Sequence, residues 1–184
     1  KAEHWAVQLA LIELYVRYGR IFAAHPDLFP KHGHSVLEAF VGRQGIRSAD
    51  SRVVTRACQS FSKFIKFAKK QIVPLTVQIY DAVKDLLVVQ YIPSSLMPAP
   101  VDGVVPSIVI KGTLRADDRG CLYEAIASLV TSMPPEQMRP ALQTLLKQPA
   151  GGLTDILNAP PAKLTSDVQG YAMWAASLID AIAT

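Results

Sequence analysis

The chain has 184 residues, half of them hydrophobic and only 18% charged, and its formal net charge is +4. This balance excludes intrinsic disorder, which needs low hydrophobicity and high charge, and the length allows one domain with a sizeable core. Charge or proline interrupts every apolar run before it reaches ~18 residues, which excludes a transmembrane helix, and the amphipathic first residues exclude a signal peptide. Cys58 and Cys121 are too few for a disulfide framework and are typical of small buried hydrophobes in a reducing compartment.

Apolar residues recur at helical spacing through most of the first half of the chain. The predicted helices of this half span 4–24, 35–43, 51–68 and 72–90. A loop rich in proline and glycine is expected over 25–33. The third helix begins at Asp50 or Ser51, either of which can serve as its N-cap. Its apolar stripe comprises Val53, Ala57, Phe61, Phe64, Ile65 and Ala68. Pro74 is tolerated in the first turn of the fourth helix.

The helical pattern fails in the middle of the chain, where four prolines and Gly103 predict a long surface loop over 92–116. Two further helices are predicted over 117–132 and 166–182, with one between them that starts at Pro134–Pro135. We expect Pro149 and the pair Gly151 and Gly152 to kink or interrupt that middle helix.

About seven helices in antiparallel succession predict an all-α fold, either a closed bundle or a slice of an α-solenoid. The helices pair at intervals of roughly 40 to 50 residues, which is the range of HEAT repeats. Asp50 and Arg56 favour the solenoid, because they resemble the HEAT pattern of a turn aspartate and a helix arginine. We expect them to form a structural ladder between neighbouring repeats, since a buried arginine needs a carboxylate partner. The start at Lys1 and the apolar end predict that 1–184 is a single fragment of a HEAT-repeat array.

Ordered segments along the chain carry a resemblance to a known family. They are ELYVRYGRIF at 13–22, GRQGIRSADSRVVTRACQSFSKFIKFAKKQIVPL at 42–75, and DDRGCLYEAIASL at 117–129, followed by MPPE. In this order and spacing they resemble the exportin-T family of the karyopherin superfamily over essentially the whole chain. The resemblance implies a HEAT-repeat solenoid that carries tRNA from nucleus to cytoplasm together with GTP-bound Ran, each ligand raising the affinity for the other.

The resemblance implies further properties. Such a receptor shuttles through nuclear pores, contacts nucleoporin Phe-Gly repeats, inserts into no membrane, needs no cofactor and is not an enzyme. The alternative hypothesis is a HEAT scaffold of another karyopherin or of an assembly protein, which binds protein cargo and has no RNA role.

Basic residues are concentrated between Arg43 and Lys70, where the single acid is Asp50. On an α-helix Arg52, Arg56, Gln59, Lys63, Lys66 and Lys70 stay within about 40° of one line, opposite the phenylalanines. Such a row suits a phosphate backbone and positions RNA without reading its bases. The predicted nucleic-acid contacts are Arg43, Arg47, Arg52, Lys63, Lys66, Lys69 and Lys70. A solvated helix face and a surface for the Ran GTPase remain alternatives for this row.

Other candidate sites have weaker support. His32 and His34 could seat a metal, but no cluster of further ligands accompanies them. Asp117 and Asp118 are interpreted as acids at a helix N-terminus, where the macrodipole favours them, rather than as a catalytic pair. The sequence contains no nucleophile elbow and no phosphate-binding loop.

Overall fold

The computed structural model describes residues 4–97 and 113–184, which form α-helices and turns without a β-strand. The helices are α1 (Trp5–Ala24), α2 (Phe29–Val41), α3 (Ser51–Phe67), α4 (Lys69–Ile72), α5 (Thr76–Val83), α6 (Ala116–Val130), α7 (Pro135–Leu157), α8 (Pro161–Ser166) and α9 (Val168–Ala183). Short 3₁₀ turns lie at Pro26–Leu28, Val73–Leu75 and Ser94–Leu96. None of the helices in these two ranges is long and apolar enough to cross a membrane.

Helices α1, α3 and α6 lie side by side in one layer. α1 and α3 run parallel, because Arg20 near the end of α1 lies over the ring of Phe67 at the end of α3. α3 and α6 also run parallel: Thr55 donates a hydrogen bond to Asp118 near their starts, and Lys66 pairs with Glu124 further along. α2 and α5 return the chain between these helices. An α-solenoid has this arrangement, in which parallel neighbouring helices are connected through antiparallel ones. The predicted all-α, HEAT-like fold is confirmed.

The core is centred on α3, whose apolar stripe is fully buried. The ring of Phe40 on α2 lies 5.6 Å from that of Phe61 and 5.2 Å from that of Phe64. Phe22 on α1 meets Phe64 edge-to-face at 6.2 Å. Each such side chain contributes ~1.5–3 kcal/mol through burial alone. The phenylalanines therefore fix the orientation of α3 and turn its opposite face outward.

Several predicted boundaries are confirmed and others are wrong. The helix over 4–24 is confirmed, and Asp50 is the N-cap of α3, since its carboxylate accepts from the Arg52 amide at 3.0 Å. α2 begins at Phe29 rather than at Ser35. Pro30 falls in its first turn, where a missing N–H costs nothing, and the buried Gly33 allows the Phe29 ring to approach closely.

The predicted helix over 72–90 is wrong. α4, a 3₁₀ turn containing Pro74, and α5 replace it, and α5 ends at Val83. The backbone beyond α5 finds its partners on other helices instead. Tyr123 on α6 donates to the Leu87 carbonyl at 3.1 Å, and the Gln148 amide pairs with both backbone groups of Val89 at 3.2 Å. These tertiary hydrogen bonds satisfy groups that a longer helix would have paired internally.

Of the kink or interruption expected at Pro149, the interruption is wrong, because α7 continues from Pro135 to Leu157. An interior proline costs a helix ~3 kcal/mol in isolation. Here Pro149 and Gly152 are both buried, and Gly152 lies against Leu178 and Trp174 of α9. Packing against α9 thus offsets the lost hydrogen bond.

The last predicted helix, 166–182, corresponds to α9, which has Asp167 as its N-cap and begins at Val168; the short α8 that precedes it was not predicted. Of the predicted loop 92–116, residues 98–112 lie outside the described part of the chain. At its flanks the structure has a 3₁₀ turn at Ser94–Leu96, and α6 begins at Ala116.

Candidate nucleic-acid interface

The outward face of α3 is polar and cationic along most of its length. Arg52, Gln59, Lys63 and Lys66 are exposed and Arg56 is half-buried. The row does not extend to Lys70, because α3 ends at Phe67. Ala68 has φ −100° and ψ 22°, outside the helical region, so the residues that follow belong to α4 and a different axis.

Acids on the flanking helices pair with two of these cations. Arg56 forms an ion pair with Glu13 of α1, and Lys66 Nζ lies 2.8 Å from a carboxylate oxygen of Glu124 on α6. The hydrogen bond from Lys66 holds the pKa of Glu124 below its usual value. Both ion pairs join neighbouring helices of the layer.

The predicted ladder has Asp50 and Arg56 each bonding to a neighbouring repeat, and in the structure only Arg56 reaches another long helix. Asp50 lies 2.6 Å from Arg52 of its own helix, while Arg56 reaches across to Glu13. The hydrogen bond from Arg52 lowers the pKa of Asp50 to about 2. Asp50 is therefore a capping residue, and the link between helices is made by Arg56 with an acid of α1.

Two more of the predicted RNA contacts have protein partners. Arg52 stacks on the indole of Trp5, with 3.9 Å between the guanidinium carbon and the ring centroid. Arg47 donates to both carboxylate oxygens of Asp85, at 2.7 and 2.9 Å, and to the Ala82 carbonyl at 2.7 Å. That bidentate contact lowers the pKa of Asp85 and joins the turn before α3 to the residues after α5.

The other predicted cations are Arg43, Lys63, Lys69 and Lys70. Within the described ranges 4–97 and 113–184 none of these four has an ion pair. Lys69 is half-buried and the other three are exposed. The charges of the three exposed residues face solvent and are open to an anionic ligand.

Arg115 is the residue that the sequence reasoning missed. It lies just before α6 and reaches the start of α3, where it donates to the Thr55 hydroxyl. Its Nε also donates to Asp118 at 2.9 Å, and Asp118 is only 3% exposed. The i,i+3 spacing of Arg115 and Asp118 was the available signal, but the prediction assigned 92–116 to a surface loop.

Arg115 completes a shallow hollow of about 360 Å³ at the amino-terminal ends of α3 and α6. The hollow is lined by Ser51, Arg52, Thr55, Arg56, Gln59 and Arg115. Each guanidinium carries five N–H donors, of which a carboxylate occupies only part. The hollow, named here the arginine hollow, therefore offers donors that match a phosphate group.

An apolar groove of about 450 Å³ lies between α5, α6 and α7. Its apolar lining includes Val77, Tyr80, Ile126, Val130, Met133 and Leu145. Val77 at its edge is 60% exposed. The groove lies where two successive helix pairs meet.

The candidate metal site and the candidate catalytic carboxylate pair have no functional arrangement in the described residues. His32 and His34 are exposed on α2, and the residues described hold no group of three metal ligands. Asp117 is exposed in the first turn of α6, whereas Asp118 is buried and bound to Arg115. The two aspartates thus do not form an open carboxylate pair.

Comparison with known proteins gives a consistent result. The model of the exportin-T family matches residues 1–159. The chain is 30% identical to exportin-T of Homo sapiens and 29% identical to exportin-T of Mus musculus, each over 146 residues. In both cases the match covers 78% of this chain and 13% of the relative, so the chain spans a small part of the length of these proteins. Exportin-T of Phaeosphaeria nodorum is 37% identical over 87 residues, which is 47% of this chain and 8% of that protein.

Proposed function

Because this chain belongs to the exportin-T family, we propose that it is part of a nuclear export receptor. The receptor carries tRNA from nucleus to cytoplasm together with GTP-bound Ran, and it acts by binding rather than by catalysis. Its localisation follows from this role, since a carrier of this kind moves between nucleus and cytoplasm.

The arginine hollow is the observation that carries the RNA-binding part of the proposal. Arg52 and Arg56 of α3 and Arg115, which precedes α6, all line it, and the exposed Lys63 continues the same face of α3. Phosphate contacts by lysine and arginine release counterions and bind without regard to sequence. A receptor for many different tRNAs needs this kind of recognition, because the shared feature of its cargo is shape and charge.

A second candidate is a protein-binding scaffold without an RNA role. Acids pair with four of the predicted cations: Asp50 of the same helix with Arg52, and acids of other segments with Arg47, Arg56 and Lys66. An interleaved network of this kind also suits a surface that contacts the Ran GTPase or a protein cargo, since rim charges orient a protein partner.

The apolar groove supports contact with nucleoporin Phe-Gly repeats. Its lining matches an aromatic side chain, and the exposed Val77 gives access at its edge. A Val77→Asp variant is expected to weaken binding of a Phe-Gly peptide to the full receptor, measured by fluorescence anisotropy. Unchanged affinity would remove the groove from this role.

The decisive experiment is tRNA binding by the full receptor with GTP-bound Ran, measured as a function of salt. The test variant is Lys63→Gln/Lys70→Gln, which removes two exposed cations that lack ion pairs. Its matched control is Lys31→Gln/Lys147→Gln, which removes two exposed cations on α2 and α7. We expect the test variant to bind more weakly and to lower the salt slope by about one per lost phosphate contact, while the control binds normally. Equal affinities and slopes in all three proteins would exclude these lysines from the RNA site, and the same measurement on Arg115→Gln would then decide whether the arginine hollow binds RNA or the scaffold is favoured.

A further inference from the structure

A second hollow, of about 460 Å³, lies between the end of α7, α8 and α9. One wall is formed by the rings of Tyr91, Tyr171 and Trp174. The lining also includes the polar residues Asp155, Asn158 and Lys163. We refer to it as the aromatic hollow.

The aromatic wall is held in place by hydrogen bonds and ring packing. Tyr91 and Tyr171 are stacked at 4.7 Å, and Trp174 meets Tyr91 edge-on at 5.7 Å. The Tyr91 hydroxyl donates to Asp167, and the Trp174 indole N–H donates to the Val89 carbonyl at 3.0 Å. Asp167 in turn accepts from the Ser94 and Gly170 amides at 2.9 and 3.0 Å. The rings therefore need no ordering when a ligand binds, which favours affinity.

The polar side of the hollow is open and electrically balanced. Asp155, Asn158 and Lys163 are all exposed. Over the ranges 4–97 and 113–184 their side chains make neither an ion pair nor a side-chain hydrogen bond. The charges of Asp155 and Lys163 cancel, so the hollow has no net charge. It offers the Asp155 carboxylate as an acceptor, the Lys163 ammonium as a donor and the Asn158 amide as both.

We propose that the aromatic hollow binds one unstacked base of an RNA, with the base against the aromatic wall and its edge towards Asp155 and Asn158. Bases stack on tyrosine and tryptophan faces and use their polar edges for hydrogen bonds. Lys163 is then available for the adjoining phosphate. This inference rests on the proposed function, because it supplies a base contact where the arginine hollow supplies only phosphate contacts.

Other ligands match the same residues less well. A phenylalanine side chain would bury the polar groups of Asp155 and Lys163 without giving them partners, which is costly. A free phosphate would meet the Asp155 carboxylate and the negative faces of the rings. A lysine or arginine side chain would pair with Asp155 but would leave Lys163 without a partner. A planar group with donors and acceptors on its edge satisfies all three polar residues.

The test compares two oligoribonucleotides of equal length binding to the full chain. One carries adenine at every position, and the other is abasic throughout, so both carry the same phosphates. We expect the wild-type chain to bind the adenine oligonucleotide about tenfold more tightly, in line with the known effect of one stacked base. Asp155→Ala/Asn158→Ala is expected to reduce the preference for adenine several-fold without changing the salt slope. Trp174→Leu is expected to abolish the preference for adenine. Gln143→Ala, at an exposed position of α7 outside the hollow, is the control.

The outcomes separate this inference from the proposed function. Equal binding of the two oligonucleotides by wild type would overturn the base site and leave the phosphate contacts standing. A preference for adenine that survives in Asp155→Ala/Asn158→Ala and Trp174→Leu would also overturn it, because the base would then bind elsewhere. Binding of neither oligonucleotide would overturn the base site, whereas the proposed function is decided by tRNA binding to the full receptor. Trp174→Leu is interpreted only if its helical circular dichroism matches wild type, and the exposed double variant provides the test in any case.

Discussion

The Arg56 guanidinium of α3 forms an ion pair with the Glu13 carboxylate of α1. This contact joins two parallel helices of one layer, and Lys66 with Glu124 repeats the arrangement between α3 and α6. A cation on α3 thus reaches an acid on each neighbouring helix. The face that we propose for RNA binding is also the face that links one helix pair to the next.

The pair of Arg56 and Glu13 is expected to contribute little to stability. Both side chains are more than 40% exposed, and ion pairs at such sites contribute at most about 1 kcal/mol. A double-mutant cycle with Glu13→Gln and Arg56→Gln, measured by urea unfolding, should give a coupling free energy in this range that shrinks at high salt. A coupling of several kcal/mol, or one insensitive to salt, would contradict this prediction.

Replacement of Arg115 is expected to lower the free energy of unfolding more than loss of the Arg56–Glu13 pair does. Arg115→Gln leaves the nearly buried Asp118 carboxylate without its charged donor, and losing such a hydrogen bond costs about 1.5–3 kcal/mol. Arg52→Gln is the matched control, because its partner Asp50 is more exposed, at 27%. Urea unfolding should show the larger loss for Arg115→Gln. The opposite order would mean that Thr55 alone satisfies Asp118.

Two adjacent glycines of α7 are expected to respond in opposite directions. A Cβ at Gly152 would lie 2.9 Å from the Leu178 methyl carbons, whereas one at Gly151 meets nothing within 4 Å. Gly152→Ala should destabilise the chain by about 1–3 kcal/mol through overpacking. Gly151→Ala should stabilise it by about 0.5–1 kcal/mol through helix propensity. Thermal unfolding of both variants tests this prediction. A higher melting temperature for Gly152→Ala would show that α9 can shift away from α7 and make room for the methyl group.

The Asp50 cap is expected to make stability sensitive to acid. The pKa of Asp50 falls from 3.8 to about 2 because its carboxylate accepts hydrogen bonds from Arg52. A lowered carboxyl pKa stabilises the fold above the unfolded value, and this stabilisation is lost as the pH falls from about 4 towards 2. The melting temperature of wild type should therefore decline faster than that of Asp50→Asn across this interval. Parallel curves would show that the Arg52 contact does not persist in solution.

Much of the fold could be predicted from local signals. The N-cap at Asp50 and the apolar stripe ending at Ala68 define α3 within a few residues, because a cap and its helix are neighbours in the chain. The start of α2 at Phe29 was missed because proline and glycine normally mark loops. There Pro30 lies in a first helical turn, and Gly33 makes room for an aromatic ring of the same helix.

The candidate site was predicted less completely than the fold. The helical row on α3 was found from spacing alone, yet Arg47, Arg52, Arg56 and Lys66 turned out to have acidic partners. Arg115 was missed because it falls in the predicted loop 92–116; its spacing from Asp118 was a local signal, but its contact with Thr55 joins residues 60 positions apart. No periodic pattern reports a contact of that kind.

By itself the sequence determined that the chain is helical, that α3 has an apolar and a cationic face, and which family its ordered motifs resemble. These properties depend on residues within a few turns of each other, where spacing and capping act directly. Only the tertiary structure decided that Arg56 pairs with Glu13 and Arg47 with Asp85, partners 43 and 38 residues away. It also kept α7 continuous through Pro149, because packing against α9 supplies free energy that no local pattern contains.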